Sequence, residues 1–218
     1  MYARPKNARD AGFTLIELLV VIGVLAVLAT VIIAGLRGAD KTVSVRAAQA
    51  TMANALNAAR NRAVTRGVNV AVLVHNDPSV PERYRRTIAL VENVTTSPVA
   101  VAFFELPKGT GVVPHSSRFA TALRDTGNWN GLNSNNLMTS SWLNSTISFA
   151  LNGSENEAWE YRNFSPSGTT TAGTVVISSV RVQAAGSYPI IFEAPDLVRG
   201  FRVSTYGLPR MVDDRSGF

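Results

Sequence analysis

Cysteine is absent from this sequence. That excludes disulfides, thiolate metal sites and cysteine nucleophiles, so any exported domain here must rest on packing. Histidine occurs only at positions 75 and 115, and neither lies in an H-E-x-x-H or other zinc-ligand spacing. His75 reads as a strand residue and His115 as a loop residue. A phosphate-cradling P-loop, a G-x-S-x-G elbow and a dinucleotide glycine fingerprint are also missing. The expectation is a protein that is not an enzyme and carries no cofactor and no metal. Charge is sparse as well: 17% of residues are charged and the net charge is +6. A mild excess of that size permits contact with nucleic acid or anionic lipid without demanding it.

What the sequence has is one long apolar run. From Phe13 to Leu36 it reads FTLIELLVVIGVLAVLATVIIAGL, apolar on every side of a helix and long enough for the roughly 20 residues that cross a bilayer. A helix of that kind is enclosed by a large protein or sits in lipid, and the remaining chain is too polar and too small to enclose it. Glu17 interrupts the run near its start. An acid costs on the order of 2.5 to 3.5 kcal/mol near mid-bilayer and less towards the surface, so it asks for a partner. A short polar head precedes the run, with Arg4, Lys6, Arg9 and Asp10 before Gly12. A secretory signal would have a core of about 7 to 15 residues and an A-x-A site soon after, which does not fit. An uncleaved anchor fits the length but leaves Gly12, Phe13 and Glu17 without a reason.

The stretch Gly12-Phe13-Thr14-Leu15-Ile16-Glu17 resembles the type III signal of prepilins, in the type IV pilin and type II secretion pseudopilin superfamily. The resemblance implies cleavage by a membrane peptidase between Gly12 and Phe13, then N-methylation of Phe13 by the same peptidase/methyltransferase system. It also gives Glu17 a role in assembly. The new amine of Phe13 in a neighbouring subunit would neutralise the carboxylate, because a paired charge in a low-dielectric interior costs much less than an unpaired one. Partners implied are other pilin or pseudopilin subunits, the processing enzyme and the membrane. Basic residues flank the run on both sides, with Arg37, Lys41 and Arg46 after it. Orientation is therefore ambiguous from charge alone. The resemblance implies a single pass through the bacterial inner membrane with the C-terminal domain exported to the periplasm. Removing residues 1–12, with three bases and one acid, would lower the net charge from +6 to +4.

Beyond Arg37 the pattern becomes amphipathic: Val45, Ala48, Met52, Ala55, Leu56, Ala59 and Ala63 recur at three and four residues, with Arg46, Gln49, Asn57 and Arg60 opposite. One helix is predicted from about Phe13 to Arg66, ended by Gly67. Gly35 and Gly38 mark a place where it bends more easily, although Ala34 stands where pilin relatives often have proline. Val68, Val70, Val72 and Val74 alternate as on a half-buried strand. Further strands are predicted at 87–91, 99–106, 147–151, 174–182 and 201–205. The class is α+β and pilin-like: a long N-terminal helix, transmembrane in its first half, packed on an antiparallel β-sheet. The expected division is a leader at 1–12, a membrane and filament-core helix at 13–36, an amphipathic continuation at 37–67 and a β domain at 68–218. Residues 114–145 form a long polar loop whose Trp129 and Trp142 are anchors.

Three further segments narrow the resemblance. Asn57 to Val74, NAARNRAVTRGVNVAVLV, is similar to the A-R-x-x-A-x-x-R-G-x-x-V pattern of the minor pseudopilin H and pilus protein T/U group. Phe164-Ser165-Pro166-Ser167-Gly168 and Gly173 to Ile177 resemble that group's F-x-P-x-G turn and the strand after it. Val203 to Gly207 resembles its last strand and terminal glycine. The resemblance implies a minor pseudopilin of a type II secretion pseudopilus, with a minor type IV pilin for pilus assembly or DNA uptake as the alternative. DNA-uptake members carry a terminal G-R-x-R or G-R-x-K motif, whereas here the equivalent is Gly207-Leu208-Pro209-Arg210. Arg210, Arg215 and the cluster Arg83, Arg85 and Arg86 remain as candidate phosphate contacts, without the interleaved aromatics that stack single-stranded bases. Asp213 and Asp214 suggest a calcium site like those of major pseudopilins, but two adjacent acids alone do not make one.

Overall fold

The computed structural model describes residues 15–118, 138–150, 156–183 and 189–218, and the side chains of 29–39 and of Phe149 fall outside that description. The protein is α+β and divides into two compact units, Met1–Asp40 and Lys41–Phe218. Helix α1 spans Leu15–Arg66, and the Gly67 amide closes it by donating to Ala63 O at 3.0 Å. Gly12 and Phe13 lie outside the described residues.

In the first unit the described part of α1 buries nothing. From Leu15 to Leu28 its large apolar side chains stand exposed, from 53% at Val21 and Leu28 to 84% at Leu15. Among the described residues no helix is long and apolar enough to cross a membrane. The second half of the expected span, beyond Leu28, carries side chains outside the description.

The second unit holds the core. The predicted stripe of α1 is fully enclosed, with Val45, Ala48, Ala55, Leu56, Ala59 and Ala63 at 0% exposure. Among the described residues nine strands follow: β1 Val70–His75, β2 Thr87–Glu92, β3 Val99–Glu105, β4 Thr110–Val112, β5 Ser145–Phe149, β6 Glu157–Phe164, β7 Gly173–Val182, β8 Ile190–Val203 and β9 Pro209–Val212. They form two antiparallel sheets rather than the single one expected, in orders β3-β2-β1-β6-β5 and β4-β7-β8-β9. The α1 stripe packs with Val70, Val72, Val74, Ile88 and Leu90 of the first sheet and with Val175, Ile177, Phe201 and Val203 of the second. Its alanines let both sheets approach the helix backbone closely.

Two expectations change on contact with the structure. The first strand is buried on both faces, not one, because Ala71 and Leu73 pack against Ala89, Val91 and Trp159 on the face away from α1. Gln49 is buried and not on the solvent side of the helix. Its amide Nε2 donates to Gly200 O at 3.1 Å and Val212 O at 3.0 Å, which ties the helix to two neighbouring strands of the second sheet. Trp142 is fully buried, tilted against Phe164 at 5.5 Å between ring centroids, as befits an anchor, while Trp129 lies outside the described residues.

Candidate functional site

Glu17 sits in the first turn of α1. The residues around it are the exposed Leu15, Ile16, Leu18 and Leu19. The carboxylate thus lies in a surface of large apolar side chains. Water is the wrong solvent for the rest of that surface, since each such side chain gains about 1.5 to 3 kcal/mol on burial.

The three motif segments beyond the helix converge. Gly207 and Gly168 take left-handed backbone at φ 72° and φ 76°. A Cβ on Gly207 would lie 2.2 Å from Gly168 O and 2.9 Å from Phe164, so only glycine fits the contact. Arg60 closes the group from the helix, its Nε donating to Tyr206 O at 3.1 Å. Helix end, F-x-P-x-G turn and terminal glycine thus form one packed junction. Its job is architectural: it ties the end of α1 to the turn between β8 and β9.

The cluster Arg83, Arg85 and Arg86 points inward. Arg85 is fully buried, with its guanidinium 2.9 Å from Glu160 Oε2, its Nε donating to Val112 O at 2.8 Å and its Nη1 to Asn76 Oδ1 at 3.0 Å. Arg118 binds the other oxygen of Glu160 at 2.9 Å. Arg83 meets Glu157 at 2.6 Å and lies over Trp159, and Arg86 meets Glu105 at 2.9 Å. These groups are committed to carboxylates within the fold, where a buried charge is tolerable only when paired. Arg215 donates through Nε and Nη2 to Pro195 O. Arg210 is exposed on β9, opposite the exposed Arg202 of β8. The sequence pattern missed Glu157 and Glu160 altogether, because their strand reads as polar until its ion pairs are counted.

His75 ends β1 in the same region, fully buried, edge-on to Trp159 at 4.9 Å and with Nε2 3.3 Å from Glu157 Oε2. Burial first and the Arg83 charge second lower its pKa to about 4. His115 is also lowered, by burial and then by Arg118. Asp213 pairs with Arg199, and Asp214 caps the final 3₁₀ turn through Ser216 N at 2.9 Å and Gly217 N at 3.2 Å. The hydrogen bond from Ser216 holds the Asp214 carboxyl below its ordinary range. Among the described residues no group of three or more histidines and acids is placed to hold a metal ion.

Residues 7–33 match the family described as the prokaryotic N-terminal methylation motif. The chain carries a prepilin-type methylation motif. The match spans Gly12 to Glu17, and it supports the resemblance to the type IV pilin and pseudopilin superfamily drawn from those residues. Among solved structures, the type IV minor pilin FimU of Pseudomonas aeruginosa is similar at 13% identity over 80% of this chain and 90% of that one, with a TM-score of 0.42. The minor pseudopilin EpsH of the Vibrio cholerae type 2 secretion system is similar at 10% identity over 78% of this chain and 97% of that one, with a TM-score of 0.41. Likenesses so distant do not choose between the two systems. No curated protein matches the chain.

Proposed function

We propose that the protein is a minor pseudopilin, a structural subunit of a type II secretion pseudopilus made as a prepilin. The observation that carries this is the exposed apolar surface of α1 from Leu15 to Leu28 with Glu17 in its first turn, directly after the methylation motif begins. Such a surface is held by lipid before assembly and by neighbouring helices after it. In this reading residues 1–12 are a leader removed between Gly12 and Phe13, and Phe13 is methylated. Residues 13–36 anchor the subunit in the inner membrane and later join a filament core, 37–67 continue the helix, and 68–218 form the exported β domain.

The Glu17 carboxylate pairs with the Phe13 amine of the next subunit and so sets the register between them. The commitment of Arg83, Arg85 and Arg86 to carboxylates within the fold removes that cluster as a phosphate surface, which supports secretion over DNA capture. Deleting the gene in its host, scored in parallel for exported enzyme activity and for pili with DNA uptake, tests the reading. Lost export with normal pili is expected. Lost pili or uptake with normal export would make the protein a minor type IV pilin instead.

A further inference from the structure

Strand β9 is an edge of the four-stranded sheet, and its hairpin with β8 carries cations and apolar side chains side by side. Arg202 stands directly opposite Arg210 in the ladder. Its neighbours Phe201 and Val203 pack with the α1 stripe, so the two arginines project from the other face of the sheet. Leu208, two residues before Arg210, continues that face and is 55% exposed. Met211, also 55% exposed, lies on the open edge of β9, and Tyr206, 71% exposed, stands on the turn. Further along the same two strands the face is closed. A Cβ on Gly200 would lie 2.9 Å from the Phe218 ring, and one on Gly217 would lie 2.5 Å from the Val212 side chain.

The arginine pair is the most informative feature. Like charges directly opposite on two strands repel, so this rung costs the hairpin stability. The acids that follow it are committed: Asp213 pairs with Arg199, and Asp214 caps the final 3₁₀ turn. Among the described residues neither Arg202 nor Arg210 has an ion-pair or hydrogen-bond partner, whereas Arg83, Arg85 and Arg86 each meet a carboxylate. An anion from outside relieves the repulsion and accepts a charge-assisted hydrogen bond from each guanidinium. The apolar neighbours decide which anion. A phosphate backbone offers nothing to Leu208 and Met211, but a polypeptide brings carboxylates and apolar side chains together. Tyrosine, methionine and arginine are also enriched where proteins meet. The turn is held in place beforehand: Ser204 N donates to Leu208 O at 3.1 Å, Leu208 N to Ser204 Oγ at 3.2 Å, and Arg60 Nε to Tyr206 O at 3.1 Å. Little backbone order is left to lose on binding.

We propose that the β8–β9 hairpin docks a partner protein through an acidic, apolar segment, its carboxylates meeting Arg202 and Arg210 and its apolar side chains covering Leu208, Tyr206 and Met211. Charge draws the segment in, and the exposed apolar groups distinguish it from a nucleic acid. This surface lies in the second unit and does not depend on the assembly role of Glu17, so either reading can fail without the other.

The test holds the full chain in phosphatidylcholine nanodiscs, with empty nanodiscs as the reference, and measures binding by surface plasmon resonance. The probes are a short peptide alternating leucine with aspartate, the same peptide with serine for leucine, and a short DNA duplex. The leucine-aspartate peptide is expected to bind more tightly than either of the others. Its affinity is expected to fall roughly tenfold or more in the double variant Arg202→Gln, Arg210→Gln, to fall in Leu208→Ser, and to be kept in Lys108→Gln, an exposed cation elsewhere. All of these positions are exposed, so the variants keep the fold. No binding of the leucine-aspartate peptide, equal binding of the serine peptide, undiminished binding in the double variant, or tighter binding of the DNA would overturn the proposal.

Discussion

Helix α1 is apolar at both of its ends, yet the two ends have opposite fates. From Leu15 to Leu28 every large apolar side chain is more than half exposed, while Val45, Ala48, Ala55, Leu56, Ala59 and Ala63 are wholly enclosed. The difference is one of distribution and size, not of hydrophobicity. A stripe of mostly small residues can be covered by two sheets whose backbones approach it closely. A helix carrying Leu, Ile and Val all the way round has no polar side to give to water, and its described side chains from Leu15 to Leu28 stand exposed. One element therefore carries two kinds of apolar surface, one that the second unit covers and one that its own described residues leave open.

That contrast can be broken from either end. The largest effect is expected from Glu17→Ala: leader processing continues and the subunit folds, but incorporation into sheared filaments falls to background. Normal incorporation would remove the carboxylate from the assembly mechanism. Next, Leu56→Ala is expected to cost about 2 to 5 kcal/mol in chemical denaturation, because it opens a cavity between helix and sheets. The matching change Leu25→Ala is expected to fall within about 0.5 kcal/mol. Equal losses at the two sites would mean that the first half is buried within the subunit after all.

Acid should weaken the second unit. His75 titrates near 4 in the folded protein and near 6.5 when unfolded. The unfolded state therefore binds the extra proton first, and the stability is fully present above pH 6.5 and lost as pH falls towards 4. The loss should reach about 1 to 3 kcal/mol by pH 4 and be flattened in His75→Gln, which denaturation midpoints across that window would reveal. A loss of about 1 to 3 kcal/mol is likewise expected from Gln49→Leu, since the carbonyls of Gly200 and Val212 lose this donor while the volume is kept. An unchanged midpoint would mean that other donors reach them.

The helix and its buried stripe were legible because a period of three and four residues is a direct imprint of one covered face. The Gly12 to Glu17 segment was legible because a lone acid in an apolar run has so few explanations. Much of the sheet was not. β6 carries Glu157, Glu160 and Arg162 and reads as surface, yet two of these acids are buried and matched by Arg83, Arg85 and Arg118 from distant segments. β8 contains Pro195, Asp196 and Gly200, ordinary strand breakers, and its ladder with β7 accommodates them through a register shift near Ser179. The same blindness made Arg83, Arg85 and Arg86 look like a phosphate surface. Sequence shows that three cations are adjacent, but not that their carboxylates wait on other strands.

The junction of Arg60 with Gly168 and Gly207, and the reach of Gln49 to carbonyls 151 and 163 residues further on, give the second unit a particular order of events. Contacts of such long sequence separation close slowly, because the loop entropy must be lost before they contribute. The stripe of α1 cannot find its full cover until nearly the whole chain exists. A subunit truncated near its end would present both halves of its helix as sticky surface, and so the last strand acts as a checkpoint on completeness.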